Sequence, residues 1–378
     1  MAFLLFYGVV AVNFICVMTR KKNNVIALFS VVSLGLVMGH AATAFGDLAS
    51  YAQRYHDLNF EFTNIEAGYV ELVRFFSTLG FSFDQFRMII FSICSLLLFF
   101  SVRRITNNYN MVILLYALTM FYFLAVALRF YIAFSITVFA LTLLWKDKKR
   151  YIIVCVLLIL WAAQFHKSVY ITFLFLLAIL PTSILKNINK VLLLISVLSF
   201  FLTLFLAVSP DLIAAVADLT KRMMASLFGD SLGDLLDSYL GEGYSRRYFL
   251  YYLFYLFGFL VSFVSLKALK ANNKVSENFA EKYMFVATLS LATGFLVVVS
   301  QTFIRLLFIP LFMGFIVFAK LAENDKKEPI DVTLNQTLLS VGVRNVLIIS
   351  TALTWFIMLY VIGDLSFDLS WFLSTNKL

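Results

Sequence analysis

Charged residues are scarce in this chain of 378 residues: they make up 13% of it, whereas 62% of the residues are hydrophobic. Soluble domains average about 25% charged and about 45–50% apolar residues. A soluble globule could not bury so much apolar surface, whereas a bilayer can. Apolar stretches near the ~20 residues needed to cross hydrocarbon also recur along the chain. The composition therefore excludes an ordinary soluble protein and predicts an integral membrane protein.

Cysteine and the common catalytic motifs are also lacking. The three cysteines, Cys16, Cys94 and Cys155, each lie in an apolar run. They therefore indicate small hydrophobic side chains and not a disulfide framework or a metal site. There is no Walker motif, glycine-rich nucleotide loop, nucleophile elbow, Cys-x-x-Cys or His-Glu-x-x-His. The sequence thus gives no support to ATP-driven chemistry within this chain.

The net charge of +9 would suggest a nucleic-acid partner in a soluble protein. Here the lysines and arginines flank apolar spans, as orientation signals do, so we expect no nucleic acid to bind. Placing the basic clusters in the cytoplasm threads the chain through about twelve spans, with both termini on the opposite side. Most acidic residues then fall outside the cytoplasm.

We predict one all-α, polytopic transmembrane domain over residues 1–378. Residues 46–86 and 210–247 form two extracytoplasmic loops that carry short amphipathic helices, and residues 321–345 form a cytoplasmic linker. The first segment lacks a basic n-region and a small-residue cleavage site, which favours a retained span. No internal repeat is evident, which disfavours the inverted-repeat transporters.

Three basic residues interrupt apolar stretches: Arg129, His166 and Arg305. Charged side chains at membrane depth cost about 2.5–3.5 kcal/mol each, so they usually have partners or roles. Arg129 and His166 lie near the midpoints of residues 111–145 and 151–185, each long enough for a helical hairpin. They are therefore predicted at outer hairpin tips, and Arg305 starts a later span at the same face. The alternatives are arginines that snorkel to lipid phosphate and a hydrogen-bonded structural histidine.

The first outer loop adds acidic and aromatic side chains. Asp47 and Tyr51 are four residues apart, so on a helix they share one face. Glu66 and Tyr69 open a predicted amphipathic helix at the interface. These side chains are candidates for the same site as Arg129.

The second outer loop contributes Arg222 and Arg247, which contact either lipid headgroups or a substrate. Guanidinium groups suit phosphate because their planar fork gives paired hydrogen bonds and carries a permanent charge. The residues alone therefore predict an anion-binding pocket at the outer face, where a lipid-linked diphosphate is the obvious membrane-borne anion.

Four short motifs occur in order at outer ends of predicted spans: Asp47-x-x-x-Tyr51, Glu66-x-Gly68-Tyr69, Leu128-Arg129-x-x-Ile132-Ala133 and Phe165-His166-x-Ser168. Their order and spacing resemble the EpsG family, a branch of the Wzy-type polysaccharide polymerases. The motifs cover the first half of the chain, and the second half is similar in topology. Phe130 differs from the polar residue, often Gln, expected after the arginine.

The resemblance implies a membrane-embedded glycosyltransferase in the bacterial cytoplasmic membrane. Such an enzyme joins oligosaccharide repeat units carried on undecaprenyl diphosphate at the outer face. One lipid-linked chain is the donor and its diphosphate the leaving group, while a sugar hydroxyl of another lipid-linked unit is the acceptor. Membrane lipid and a chain-length regulator protein are further expected partners.

On this interpretation, Arg129 and Arg305 bind the diphosphate, with Arg222 or Arg247 as additional contacts. Cations at that position would stabilise the charge that develops on the departing phosphate. A metal ion is then unnecessary, and we expect no cofactor.

The attacking hydroxyl needs a proton acceptor within hydrogen-bond reach. Asp47, Glu66 and His166 are the candidates; a carboxylate is favoured as the base, with His166 orienting the acceptor or the diphosphate. Tyr51 and Tyr69 are predicted to stack on sugar rings or to hydrogen-bond to them.

Two other functions stay open. A transporter or flippase for lipid-linked sugars also needs a basic cavity, although its polar groups should extend through the midplane. A membrane O-acyltransferase acting on glycans would centre on His166, but no Asn or Asp is patterned with it.

Overall fold

The computed structural model describes residues 2–19, 21–41, 48–56, 65–145, 150–209, 215, 218–219, 222, 246–271, 275–294, 296–299 and 304–323. Within these ranges the secondary structure is helical and no strand occurs, which confirms the predicted all-α class. Asp47, most of the second outer loop, nearly all of the predicted linker and the predicted last span lie outside the described residues.

The helices follow one another in a simple order. In the first half they are α1 Ala2–Met18, α2 Asn24–Gly39, α3 Leu48–His56, α4 Ala67–Thr78, α5 Phe83–Arg103, α6 Tyr109–Thr119, α7 Phe121–Val126, α8 Leu128–Leu144 and α9 Arg150–Ala163. A 3-10 helix, Lys167–Ile179, precedes α10 Thr182–Val208, α11 Arg246–Ala271, α12 Glu277–Ala292, α13 Leu296–Val299 and α14 Ile304–Ala322.

The chain divides into two compact units. The first comprises the described parts of residues 1–176 and 315–378, and the second those of residues 177–314. Two described helical stretches, Phe83–Arg103 and Thr182–Leu206, are long and apolar enough to cross a membrane, and shorter apolar helical stretches of 10–17 residues occur elsewhere in the described ranges. The count of about twelve spans stays a prediction.

Close backbone packing between α2 and α5 organises the first unit. A Cβ atom on Gly35 would lie 2.6 Å from the Cα atom of Ser92, and one on Gly39 would lie 2.5 Å from that of Met88. Only glycine fits at such distances, as at many helix contacts in membranes. The start of α5 is fixed by a capping box between Ser82 and Gln85.

Polar contacts at one end of the first unit show that α6, α7 and α8 form a hairpin. The Asn23 backbone N–H donates to Asn110 Oδ1 at 3.3 Å, and Arg104 Nη1 donates to the Phe139 carbonyl oxygen at 3.2 Å. The start of α6 and the end of α8 therefore lie together. Arg129 is the second residue of α8, directly after the non-helical residue Ala127, and lies at the opposite end.

In the second unit, α10 covers Thr182–Val208 and carries two lysines near its start. It starts at Thr182, after Pro181, so Lys186 and Lys190 belong to a helix and not to a loop. Lysine is a good helix former, so nothing in this segment ends the helix. Asn189 and Ser196 then hold α10 against α12 through hydrogen bonds to Glu281 and to the Thr288 carbonyl oxygen.

Candidate functional site

Four segments of the first unit meet around the side chain of Arg129, the second residue of α8. Its Nη1 atom donates to Glu66 Oε2 at 2.6 Å, and its Nε atom donates to the Tyr51 hydroxyl at 2.9 Å. Glu66 precedes α4, and Tyr51 lies in α3. The arginine side chain is 18% exposed and that of the glutamate 8%. This is a largely buried ion pair, and burying a charge is tolerated only with such partners.

The second carboxylate oxygen of Glu66 is also engaged. Its Oε1 atom accepts the backbone N–H of Lys167 at 2.9 Å. Glu66 therefore ties the guanidinium of Arg129 to the turn between α9 and the 3-10 helix. Because one oxygen accepts from a permanently charged guanidinium and the other from a backbone N–H, the carboxylate serves first as the counter-charge of Arg129.

Gly68 explains why this turn can lie so close to α4. Its N–H donates to the Gln164 carbonyl oxygen at 3.0 Å. A Cβ atom at this position would lie 2.7 Å from Gln164 Cβ and 2.8 Å from that oxygen. The motif Glu66-x-Gly68 thus combines a charged anchor with the glycine that its position requires.

Tyr51 and Tyr69 pack together beside Arg129, and Tyr51 contacts the arginine directly. The ring centroids of Tyr51 and Tyr69 are 5.6 Å apart, and the residues are only 3% and 1% exposed. The Tyr69 hydroxyl is buried and has no hydrogen-bond partner in the described part of the chain. Burial raises the pKa of Tyr69 above its ordinary value despite the opposing charges of Arg129, Arg87 and Arg54, so it stays protonated. In this arrangement neither ring presents an open face to a sugar.

His166 lies beside this cluster, 6% exposed. Its Nδ1 atom is 2.7 Å from the Ser168 hydroxyl oxygen and accepts the Ser168 backbone N–H at 3.3 Å. A backbone N–H can only donate, so Nδ1 is the acceptor and the neutral imidazole carries its proton on Nε2. Phe130 packs edge-on against the imidazole, with ring centroids 5.5 Å apart. The apolar residue that departs from the family pattern is therefore a packing partner of His166.

Sequence reasoning missed Arg87. This side chain is fully buried in the first turns of α5, where Nη2 donates to Asp84 Oδ1 at 2.6 Å and Nη1 donates to the Ala41 carbonyl oxygen at 2.9 Å. It fixes Ala41, two residues after the end of α2, to the start of α5. The available signal was the spacing of Asp84 and Arg87, an opposite-charge pair three residues apart at the start of an apolar helix.

The remaining predicted site residues are Arg222, Arg305, Arg247 and Asp47. Arg222 is exposed and pairs with Asp218 in its own chain segment at 2.7 Å. Arg305 is a half-buried residue in the first turn of α14, and it belongs to the second unit, as does Arg247 in the first turn of α11. Asp47 lies outside the described residues. No group of three or more His, Cys, Asp or Glu side chains that could hold a metal ion occurs in the described ranges.

Apolar helices that enclose an arginine–carboxylate pair beside an imidazole define a membrane protein with a charged site at one end of its bundle. A family model described as the EpsG family matches residues 24–333, and the chain belongs to that family. The matched range contains every residue of the cluster. Neither the curated proteins nor the solved structures include a match to this chain. Membership implies, in general terms, a Wzy-like polysaccharide polymerase.

Proposed function

We propose that this protein polymerises oligosaccharide repeat units carried on undecaprenyl diphosphate, at the outer face of the bacterial cytoplasmic membrane. The observation that carries the proposal is the ion pair between Arg129 and Glu66, which joins two of the four motifs at one end of the first unit of a chain that belongs to this family. The Arg129 side chain is 18% exposed, so it is not sealed off from an anion. A diphosphate would meet a fixed positive charge there.

The reaction is a glycosyl transfer. A hydroxyl oxygen of the acceptor sugar forms a bond to the anomeric carbon of the donor, and the bond from that carbon to the diphosphate oxygen breaks. The bonding electrons leave with the diphosphate, and the hydroxyl proton passes to a base. Negative charge therefore develops on the diphosphate as the bond breaks, and a positioned guanidinium lowers the energy of that state.

The geometry separates the roles of the candidate residues. Glu66, with both oxygens engaged, positions Arg129, and we assign the proton-accepting role to Asp47 on the basis of the sequence. His166 presents an N–H from Nε2, which suits a hydrogen bond to a phosphate or sugar oxygen better than it suits proton abstraction. Tyr51 holds the guanidinium orientation through the hydrogen bond to Nε.

The test is polymerisation by purified protein supplied with one defined lipid-linked repeat, read as product length on a gel. The wild-type protein should give a ladder. Arg129→Ala should lower the turnover by about 10²–10³-fold, the usual effect of removing one group that stabilises developing charge. Arg74→Ala is the matched control, because Arg74 is an exposed arginine that pairs only with Glu71 among the described residues. An unchanged band from the wild-type protein would contradict polymerisation and favour transport of the same lipid.

A further inference from the structure

A basic cleft in the second unit has no part in the proposed reaction. Its volume is about 340 Å³, and it lies between α10, α11 and α12. Four lysines line it, Lys186, Lys190, Lys267 and Lys270, together with Asn189, Glu281 and apolar side chains from the same three helices. This volume is within the range of small-molecule sites.

The positive charge of the cleft exceeds its negative charge. Lys186 and Lys270 lie 2.6 Å and 3.2 Å from Glu277, and Lys270 lies 3.4 Å from Glu281. Hydrogen bonds from Lys186 and Lys270 hold the pKa of Glu277 below its ordinary value, so it remains charged. Two carboxylates thus face four ammonium groups, which leaves two positive charges in excess.

The two lysines outside these ion pairs carry the excess. Lys267 lies over the Phe263 ring, 4.5 Å from its centroid. Lys190 makes no ion pair with any residue in the described ranges. Both are exposed at the mouth of the cleft. Their charges are therefore available to an anion.

The side-chain amide oxygen of Asn189 is a second feature of the cleft that a ligand has to match. Asn189 is 7% exposed, and its Nδ2 atom donates to the Glu281 carbonyl and carboxylate oxygens at 3.0 and 2.9 Å. Because both partners are acceptors, the amide orientation is fixed and Oδ1 is the remaining atom. That Oδ1 atom is buried without a hydrogen-bond partner in the described part of the chain. It needs a donor, and a donor on a ligand would supply it.

We infer that this cleft binds a phosphodiester that carries a hydroxyl group, as in a glycerophosphate headgroup. The lysines bind the phosphate, and the hydroxyl donates a hydrogen bond to Asn189 Oδ1. Leu193, Leu266 and Met284 contact the apolar part of a lipid. Basic clefts between membrane helices bind anionic lipid headgroups in this way. The sequence predicts this end of the helices at the cytoplasmic side, where α11 ends in basic residues.

The experiment is lipid binding by the full-length purified protein, followed by native mass spectrometry in detergent. The probes are phosphatidylglycerol, and phosphatidylethanol, which has the same charge but no hydroxyl. Phosphatidylglycerol should bind severalfold more tightly than phosphatidylethanol. The cleft variant combines Lys190→Ala and Lys267→Ala. It should bind phosphatidylglycerol more weakly, by on the order of tenfold or more.

The matched control is Lys21→Ala with Arg103→Ala, which removes two exposed charges from the first unit. It should leave phosphatidylglycerol binding unchanged. Equal binding by wild type, cleft variant and control would overturn the inference, and so would equal binding of the two lipids. A parallel arm with glycerophosphoglycerol, a water-soluble phosphodiester that carries hydroxyl groups, identifies the source. Binding as tight as that of the lipid assigns the cleft to free phosphodiesters, and much weaker binding assigns it to membrane lipid.

Discussion

Replacing Glu66 by Gln should destabilise the fold because it breaks a buried ion pair without changing the side-chain shape. The amide can turn its oxygen toward Arg129 or toward the Lys167 N–H, but not toward both. Its NH₂ group then faces whichever of these two donors the oxygen does not reach. In the wild-type protein the carboxylate accepts from both donors, at 2.6 Å and 2.9 Å. The variant therefore has one close donor–donor contact and a guanidinium whose positive charge is no longer balanced by a carboxylate.

The expected magnitude follows from burial. Removing one partner of a fully buried pair costs about 3–5 kcal/mol. Arg129 retains 18% exposure, so water relieves part of the penalty, and we expect about 2–4 kcal/mol for Glu66→Gln. The control is Glu71→Gln in α4, which breaks the exposed ion pair with Arg74. It should change the free energy of unfolding by less than about 1 kcal/mol.

The three cysteines provide the assay. Cys16, Cys94 and Cys155 are 6%, 5% and 0% exposed, so a maleimide reagent reacts with them as the fold opens. The free energy of unfolding is measured from this reaction across a denaturant series for the wild type, both single variants and the double variant Glu66→Gln with Arg129→Met. The double variant should lose less than the sum of the two single losses, because the partners are coupled. Equal stability of Glu66→Gln and Glu71→Gln, or strict additivity in the cycle, would refute the reasoning.

Two further substitutions test the packing around the site. Gly68→Ala should separate α4 from Gln164 and cost about 1–3 kcal/mol, since its Cβ would lie 2.7 Å from Gln164 Cβ; an unfolding free energy equal to wild type would contradict this contact. Arg87→Met keeps the apolar stem but leaves the Ala41 carbonyl oxygen without its donor, and should cost about 1–3 kcal/mol in the same assay; no loss would mean that water replaces the guanidinium.

Hydropathy and charge patterning predicted the helical class and the end of the bundle where the site lies. Apolar length identifies helices, and the placement of basic clusters alternates their direction. Arg129 and Glu66 were both placed at that end on this basis. Their pairing could not be read from the sequence, because it depends on how α4 and α8 are rotated about their axes. The close fit of Gly68 against Gln164 fixes one part of this arrangement, the position of α4 against the turn after α9.

The roles of individual residues were harder to predict than their positions. For Tyr51 and Tyr69 the sequence predicts contacts to sugars. In the structure both residues are buried, and the Tyr51 hydroxyl accepts a hydrogen bond from Arg129 Nε. Arg87 was missed because it lies at the start of an apolar helix, where a charged residue is typical of the boundary between a loop and a span. Arg222 pairs with Asp218 in its own segment, a contact that depends on local side-chain geometry and not on the span pattern.

The most direct test of the central claim is chemical rescue of Arg129→Ala by added guanidinium ions. In the proposed reaction a guanidinium lies against the departing diphosphate, so low millimolar guanidinium should restore part of the lost polymerisation of a defined lipid-linked repeat. Equimolar sodium should restore none, and Arg74→Ala should respond to neither. Full activity of Arg129→Ala before any addition, with a fold as stable as that of the wild type, would contradict the account.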